Sequence, residues 1–136
     1  MMIYENTAGV LSLGDEGNFV RIDWKEGQRE DADIQAIFEQ ALVAGKQLRW
    51  YKLLVNQQVM LSPSPWAEAW FVYEWLPGLR KSGITSGRCA VVVGRDVITR
   101  STTLGYLGQV ESTEARFKVQ QFLLESEAVE WLLQGD

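Results

Sequence analysis

The stretch SPSPWAEAWFVYEWLPGLRKSG, residues 62–83, is the part of the chain that the rest of the fold must accommodate. Within it, Ser64 can cap a helix, and Pro65 suits the first helical position, where a missing N–H costs nothing. Apolar residues then recur at the three-and-four spacing of one helical face, which predicts a helix over residues 64–83. These residues are Trp66, Ala69, Trp70, Tyr73, Leu76 and Leu79.

The predicted helix is apolar on more than one side, because Phe71, Val72 and Trp75 lie outside that narrow stripe. A helix with this pattern is buried on more than one side. The first interpretation of these aromatic side chains is packing in the protein's own core. Alternatively, one aromatic flank remains for a partner chain or an apolar ligand, since Trp and Tyr are enriched in such contacts. The candidate residues of this flank are Trp66, Trp70, Tyr73 and Trp75.

The far end of the same stretch carries helix-ending signals. Pro77 has no N–H for the carbonyl of Tyr73, so we expect the helix to kink or loosen there. Arg80 and Lys81 suit the negative end of the helix dipole, and Gly83 suits the C-cap.

The bulk composition is typical of one globular domain over residues 1–136. The chain has 136 residues, of which 46% are hydrophobic and 23% are charged. Its net charge of −5 argues against a nucleic-acid partner and against docking on anionic lipid. No apolar run approaches the length of a membrane span, and residues 1–9 lack the pattern of a secretory signal. With Cys89 as the single cysteine, we expect a cytoplasmic protein without intrachain disulfides.

Histidine is absent, which excludes a Ser-His-Asp or Cys-His centre within one chain. It also removes the commonest general base and transition-metal ligand. Glu68 and Glu74 are six positions apart on the predicted helix and therefore point to different sides. We expect no enzymatic activity, no cofactor and no metal site.

The remaining segments predict an α/β fold, because strand and helix patterns alternate along the chain. Turn residues between the first two strands predict an antiparallel hairpin. We expect a mixed, largely parallel sheet of four or five strands with this N-terminal hairpin and about four helices. The predicted strands are residues 8–13, 19–24, 49–56, 89–94 and 117–123. The predicted helices are residues 33–45, 64–83 and 96–109 and a closing helix that begins at Ser126.

Several of these segments together resemble the SpoIIAA-like branch of the STAS (sulfate transporter and anti-sigma-factor antagonist) fold. The resemblance implies a small α/β domain without a bound cofactor, often used for protein–protein regulation. The segments that carry it are Trp24 at the end of a strand, KLLVNQ at 52–57, EWLPGL at 74–79, KSGI at 81–84, AVVVG at 90–94 and EAVEWL at 127–132.

The phosphorylation motif of this family does not carry over. In the phosphorylated members the strand equivalent to KLLVNQ runs into an Asp-Ser, small-residue and Gly turn, with the regulated Ser at the start of the next helix. Here residues 56–64 form a longer turn without that Asp or Gly. Ser62 and Ser64 are the candidate phosphosites in this region, since phosphate is favoured at a helix N-terminus. Capping alone explains Ser64, and we expect neither serine to be modified.

The sequence therefore leads to two hypotheses about function. The first is a non-enzymatic regulatory or protein-interaction domain that forms a homodimer through the aromatic helix. The second is a carrier or sensor of a lipid or other apolar small molecule. A closed cavity beside the helix would favour the carrier, and an exposed apolar patch would favour the interaction domain.

Overall fold

The computed structural model describes residues 2–14, 18–26, 29–46, 51–58, 65–84, 86–93 and 117–134. These residues form one mixed sheet whose six strands follow one another in chain order. The strands are β1 (Met2–Glu5), β2 (Gly9–Gly14), β3 (Phe19–Trp24), β4 (Tyr51–Gln57), β5 (Gly87–Val93) and β6 (Phe117–Phe122). The first two pairings, β1–β2 and β2–β3, are antiparallel, and the remaining three are parallel.

Three helices accompany the sheet in the described part of the chain. Helix α1 spans Asp31–Gly45 and connects β3 to β4. Helix α2 lies between β4 and β5 and consists of three consecutive helical segments. Its segments are Pro65–Trp70, a π-helical turn at Phe71–Trp75, and Leu76–Lys81. Helix α3 spans Glu125–Leu133 and follows β6.

The two faces of the sheet carry separate hydrophobic cores. Successive strand residues point to opposite faces, so Leu53 and Val55 join the larger core while Leu54 joins the smaller one. Helices α1 and α2 cover the larger core, and α3 contributes Ala128 and Leu132 to the smaller. The continuous apolar run of β4 is therefore explained, as the sequence predicted, by burial on both faces.

The predicted α/β class and the N-terminal antiparallel hairpin are confirmed, whereas the strand count was too low. Gly9 pairs with Trp24 and Gly14 with Phe19, in the register of the predicted hairpin. The unexpected strand is β1, at one edge of the sheet, where Met2 is 61% and Ile3 is 38% exposed. An edge strand with so little burial has no alternation of buried and exposed residues from which to predict it. The predicted helix at 96–109 lies outside the described residues.

No helix in the described ranges combines the length and the apolar character needed to cross a bilayer.

Candidate interaction surface

One side of α2 is anchored in the larger core by aromatic contacts with α1. Phe38 of α1 lies at the centre of these contacts, with ring centroids 5.0 Å from Phe71 and 5.3 Å from Trp75. The indole N–H of Trp75 donates a hydrogen bond of 2.6 Å to the backbone carbonyl of Phe38. Because the indole has both apolar neighbours and a hydrogen-bond acceptor, it is satisfied in the interior. These contacts fix the rotation of α2 about its own axis.

Trp75 is therefore a core residue, and its assignment to the candidate surface is corrected. Its side chain is 3% exposed. The spacing along the helix provides the physical reason. Trp75 lies nine residues after Trp66, about two and a half α-helical turns, and therefore on the opposite side of the helix. Phe71, Val72 and Trp75 are all buried, while Tyr73 and Glu74 are exposed.

The π turn ends two residues before Pro77, the proline at which the sequence predicted a loosened helix. Pro77 has no N–H with which to complete the α-helical hydrogen bond to the carbonyl of Tyr73. The segment Phe71–Trp75 adopts the wider turn, and helical structure continues through Lys81. The perturbation is thus a local widening of the helix, which continues beyond the proline.

The opposite side of α2 borders an open groove next to α1. The groove has a volume of about 430 Å³. Trp66 is 45% and Tyr73 is 63% exposed, so the groove opens to solvent and is not an enclosed cavity. The rings of Trp66 and Trp70 are nearly parallel, at an interplanar angle of 12° with centroids 6.3 Å apart. The residues that line the groove are Gln35, Trp66, Ala69, Trp70, Tyr73 and Glu74.

Three of the four predicted surface residues are brought together here. We use the term aromatic surface for Trp66, Ala69, Trp70 and Tyr73. Gln35, contributed by α1, was not anticipated from the sequence, because it is one polar residue among several on an amphipathic helix. Its amide donates a hydrogen bond of 2.7 Å to Glu39, one turn along α1. No local sequence signal indicates that this turn of α1 adjoins α2.

The described residues that line the groove include one acidic residue, Glu74, and no basic residue. The exposed Lys81 lies at the far end of α2. The aromatic and acidic part of the helix is thus separated along its axis from the basic end.

The C-terminal end of α2 is fixed as the sequence predicted. Gly83 has a φ of 93°, in the left-handed region that favours glycine. The N–H of Ile84 donates to the carbonyl of Leu79 at 2.9 Å, and the N–H of Ser82 donates to the carbonyl of Gly78 at 3.1 Å. The Ile84 bond and the left-handed glycine together define a Schellman motif. This motif holds the last turn in place.

A polar network that was not predicted from the sequence lies on the face of the sheet that α3 covers. Arg21 of β3 binds both Asp23, through two hydrogen bonds, and Glu125 at the start of α3. Asn56 of β4 donates a further hydrogen bond of 3.0 Å to Asp23. Burial opposes ionisation of Asp23, but the bonds from Arg21 and Asn56 outweigh it and lower the pKa of the carboxyl. We assign this network to the docking of α3.

Chemistry at the other predicted positions is limited. Cys89 is buried in β5, and burial raises the pKa of its thiol to about 12, which leaves it protonated at neutral pH. The described residues bring no three potential ligands of the His, Cys, Asp or Glu types together as a metal site. Ser62 and Ser64, the candidate phosphosites, lie outside the described residues.

Comparison with known proteins adds no relative to these observations: the chain matches no protein-family model, no curated protein and no solved structure.

Proposed function

We propose that this chain is a non-enzymatic protein-interaction domain that self-associates through the aromatic surface of α2. The observation that carries the proposal is the exposure of Trp66 and Tyr73 beside an open groove, on a helix whose other side is fully used in the core. Large exposed aromatic side chains of this kind are enriched at protein interfaces. The resemblance of the sequence to STAS domains points to the same class of function, in the cytoplasm.

The expected strength of the contact follows from the exposed area. Covering the exposed part of each ring removes on the order of 100 Å² of apolar surface, which at about 25 cal/mol per Å² contributes about 2.5 kcal/mol. A symmetric dimer covers four such rings and gains about 10 kcal/mol. The loss of translational and rotational freedom costs roughly 4–15 kcal/mol. The rings alone approximately balance this cost, so a stable dimer needs further contacts between the two copies, since micromolar affinity corresponds to a net free energy of about −8 kcal/mol.

A carrier of an apolar small molecule is the second candidate, and the groove volume of about 430 Å³ is the observation in its favour. Small-molecule sites commonly have this size. However, such sites enclose most of the ligand, whereas a ligand beside Trp66 and Tyr73 would remain open to solvent. The geometry favours a protein contact over a carried ligand.

The test is the oligomeric state of protein purified without detergent, measured by light scattering after gel filtration and by native mass spectrometry. We expect a dimer for the native chain and a monomer for the double variant Trp66→Ser, Tyr73→Ser. The matched control is Leu124→Ser, which removes a 53% exposed apolar side chain beside α3 and should remain dimeric.

A native chain that stays monomeric up to millimolar concentration would refute self-association. A retained apolar compound that the double variant loses, detected on a monomer by its added mass, would establish the carrier instead.

A further inference from the structure

The two ends of α2 are unlike and complementary. The first part of the helix presents Trp66 and Trp70 to the groove, and Glu74 is the acidic residue among the described residues that line it. The last turn presents the exposed Lys81, which has no ion-pair partner among the described residues. An ammonium group is attracted to the face of an indole ring, and most strongly where nearby charge is negative. The Trp66 indole at one end of α2 can therefore bind the Lys81 ammonium group from the other end of a second copy of the helix.

The positions along the helix allow two copies to use both ends at once. Tyr73 lies seven residues after Trp66 and eight residues before Lys81, so each is about 10 Å from it along the axis. A two-fold axis through Tyr73 superimposes the Trp66 end of one copy on the Lys81 end of the other. This is the self-complementary arrangement that a symmetric dimer requires.

The surface between these ends permits close approach. Trp66, Ala69, Tyr73 and Lys81 are exposed, at spacings of three, four and eight residues. The positions between Tyr73 and Lys81 include the half-buried Pro77 and Gly78, which carry no long side chain. At these two positions an approaching helix meets no long side chain.

We propose that the two α2 helices of a dimer pair antiparallel about Tyr73, an inference that rests on the self-association proposed above. In this pairing the Lys81 ammonium of each copy binds on the Trp66 ring of the other. The occupant of the aromatic groove is then the C-terminal end of α2 from a second copy. A parallel pairing is disfavoured, because it would place the two Lys81 side chains together and leave both indoles without a cation.

The energetic test is the dimer dissociation constant of Lys81 variants. Lys81→Met keeps most of the side-chain length but removes the charge, and the symmetric dimer loses two cation–π contacts. We expect the dissociation constant to rise about tenfold. Lys81→Arg is the matched control and should dimerise as the native chain does, because a guanidinium also stacks on an indole. An unchanged dissociation constant for Lys81→Met would overturn the assignment.

The geometric test is oxidative cross-linking of single-cysteine substitutions. Glu74 lies next to the proposed axis, so Glu74→Cys should form a disulfide-linked dimer. The exposed Ser82 lies nine residues from Tyr73, so Ser82→Cys copies would be more than 20 Å apart and should not cross-link. Native Cys89 is 2% exposed and does not interfere.

Efficient cross-linking of Ser82→Cys, or failure of Glu74→Cys to cross-link in a dimeric protein, would overturn the antiparallel pairing and leave self-association standing. A monomeric native chain would overturn both proposals.

Discussion

Gly45 and Gly78 illustrate how tertiary neighbours decide what a single residue contributes. The sequence predicts that Gly45 ends α1, and the helix does end there. Its φ does not lie in the left-handed region, however, and the requirement for glycine comes from Tyr51. The Tyr51 ring is fully buried over Gly45, and its hydroxyl donates a hydrogen bond of 2.9 Å to the carbonyl of Ala41. The ring therefore cannot move aside.

We predict opposite effects for the same substitution at these two glycines. A Cβ at Gly45 would lie 1.7 Å from Cε2 of Tyr51, so Gly45→Ala should lower the free energy of unfolding by about 3 kcal/mol. A Cβ at Gly78 would find its nearest neighbour, Cδ2 of Leu42, at 3.9 Å. Gly78→Ala should therefore raise the free energy of unfolding by about 0.5 kcal/mol, since alanine favours the helix. Urea denaturation of both variants checks this, and equal losses would contradict it.

At the scale of elements, α3 is held to the sheet by polar contacts as well as by apolar ones. Its apolar contribution to the smaller core is modest, and both of its ends are held by arginines from the sheet. Arg21 binds Glu125 in the first turn, while Arg88 donates a hydrogen bond of 2.7 Å to the carbonyl of Trp131 in the last turns. The Arg88 guanidinium also lies 5.0 Å from the centre of the Trp131 ring. The docking of α3 should accordingly respond to pH.

We predict that the protein loses stability on acidification below about pH 4, in part through Asp23. The pKa of this carboxyl in the folded state lies below its ordinary value of 3.8. A lowered pKa means that its stabilisation is complete above the unfolded-state pKa and is lost as the pH falls through the folded-state pKa.

Urea denaturation between pH 2 and 6 measures this dependence. Asp23→Asn should reduce the slope of unfolding free energy against pH in the acid range, whereas Glu130→Gln, on the exposed side of α3, should leave the slope unchanged. The same acid slope in Asp23→Asn as in the native protein would exclude this role for Asp23.

At the scale of the whole molecule, Cys89 reports on global opening. It lies in β5, which pairs with β4 on one side and with β6 on the other, and its side chain faces the larger core. The thiol becomes accessible when the core opens.

We predict that a thiol-reactive dye at pH 8 modifies the native protein roughly a thousandfold or more slowly than the urea-unfolded chain. Burial keeps the dye from the Cys89 thiol, and the raised pKa of about 12 keeps that thiol from ionising to the reactive thiolate. Destabilising variants such as Gly45→Ala should be labelled faster. Rapid labelling in native buffer would show that the interior near β5 opens locally.

Much of the architecture is encoded in short-range patterns. The antiparallel hairpin, α1, and the buried strands β4 and β5 follow from periodicity and turn chemistry, because each pattern persists over at least five residues. β1 was missed because an exposed edge strand lacks such a pattern. The polar network of Arg21, Asp23, Asn56 and Glu125 was missed because its members come from distant parts of the chain.

The linear chain specifies that residues 64–83 form an aromatic helix with a glycine stop, and that this helix carries more apolar surface than one core needs. Which tryptophan serves the core and which faces solvent was decided by packing. The helical period separates Trp75 from Trp66 and Tyr73, and tertiary contacts decide which side is buried, since Phe38 packs against Trp75 and accepts its indole hydrogen bond. Local hydrogen-bonding rules suffice to form and end the helix, whereas the choice of which tryptophan is buried depends on neighbours that are distant in sequence.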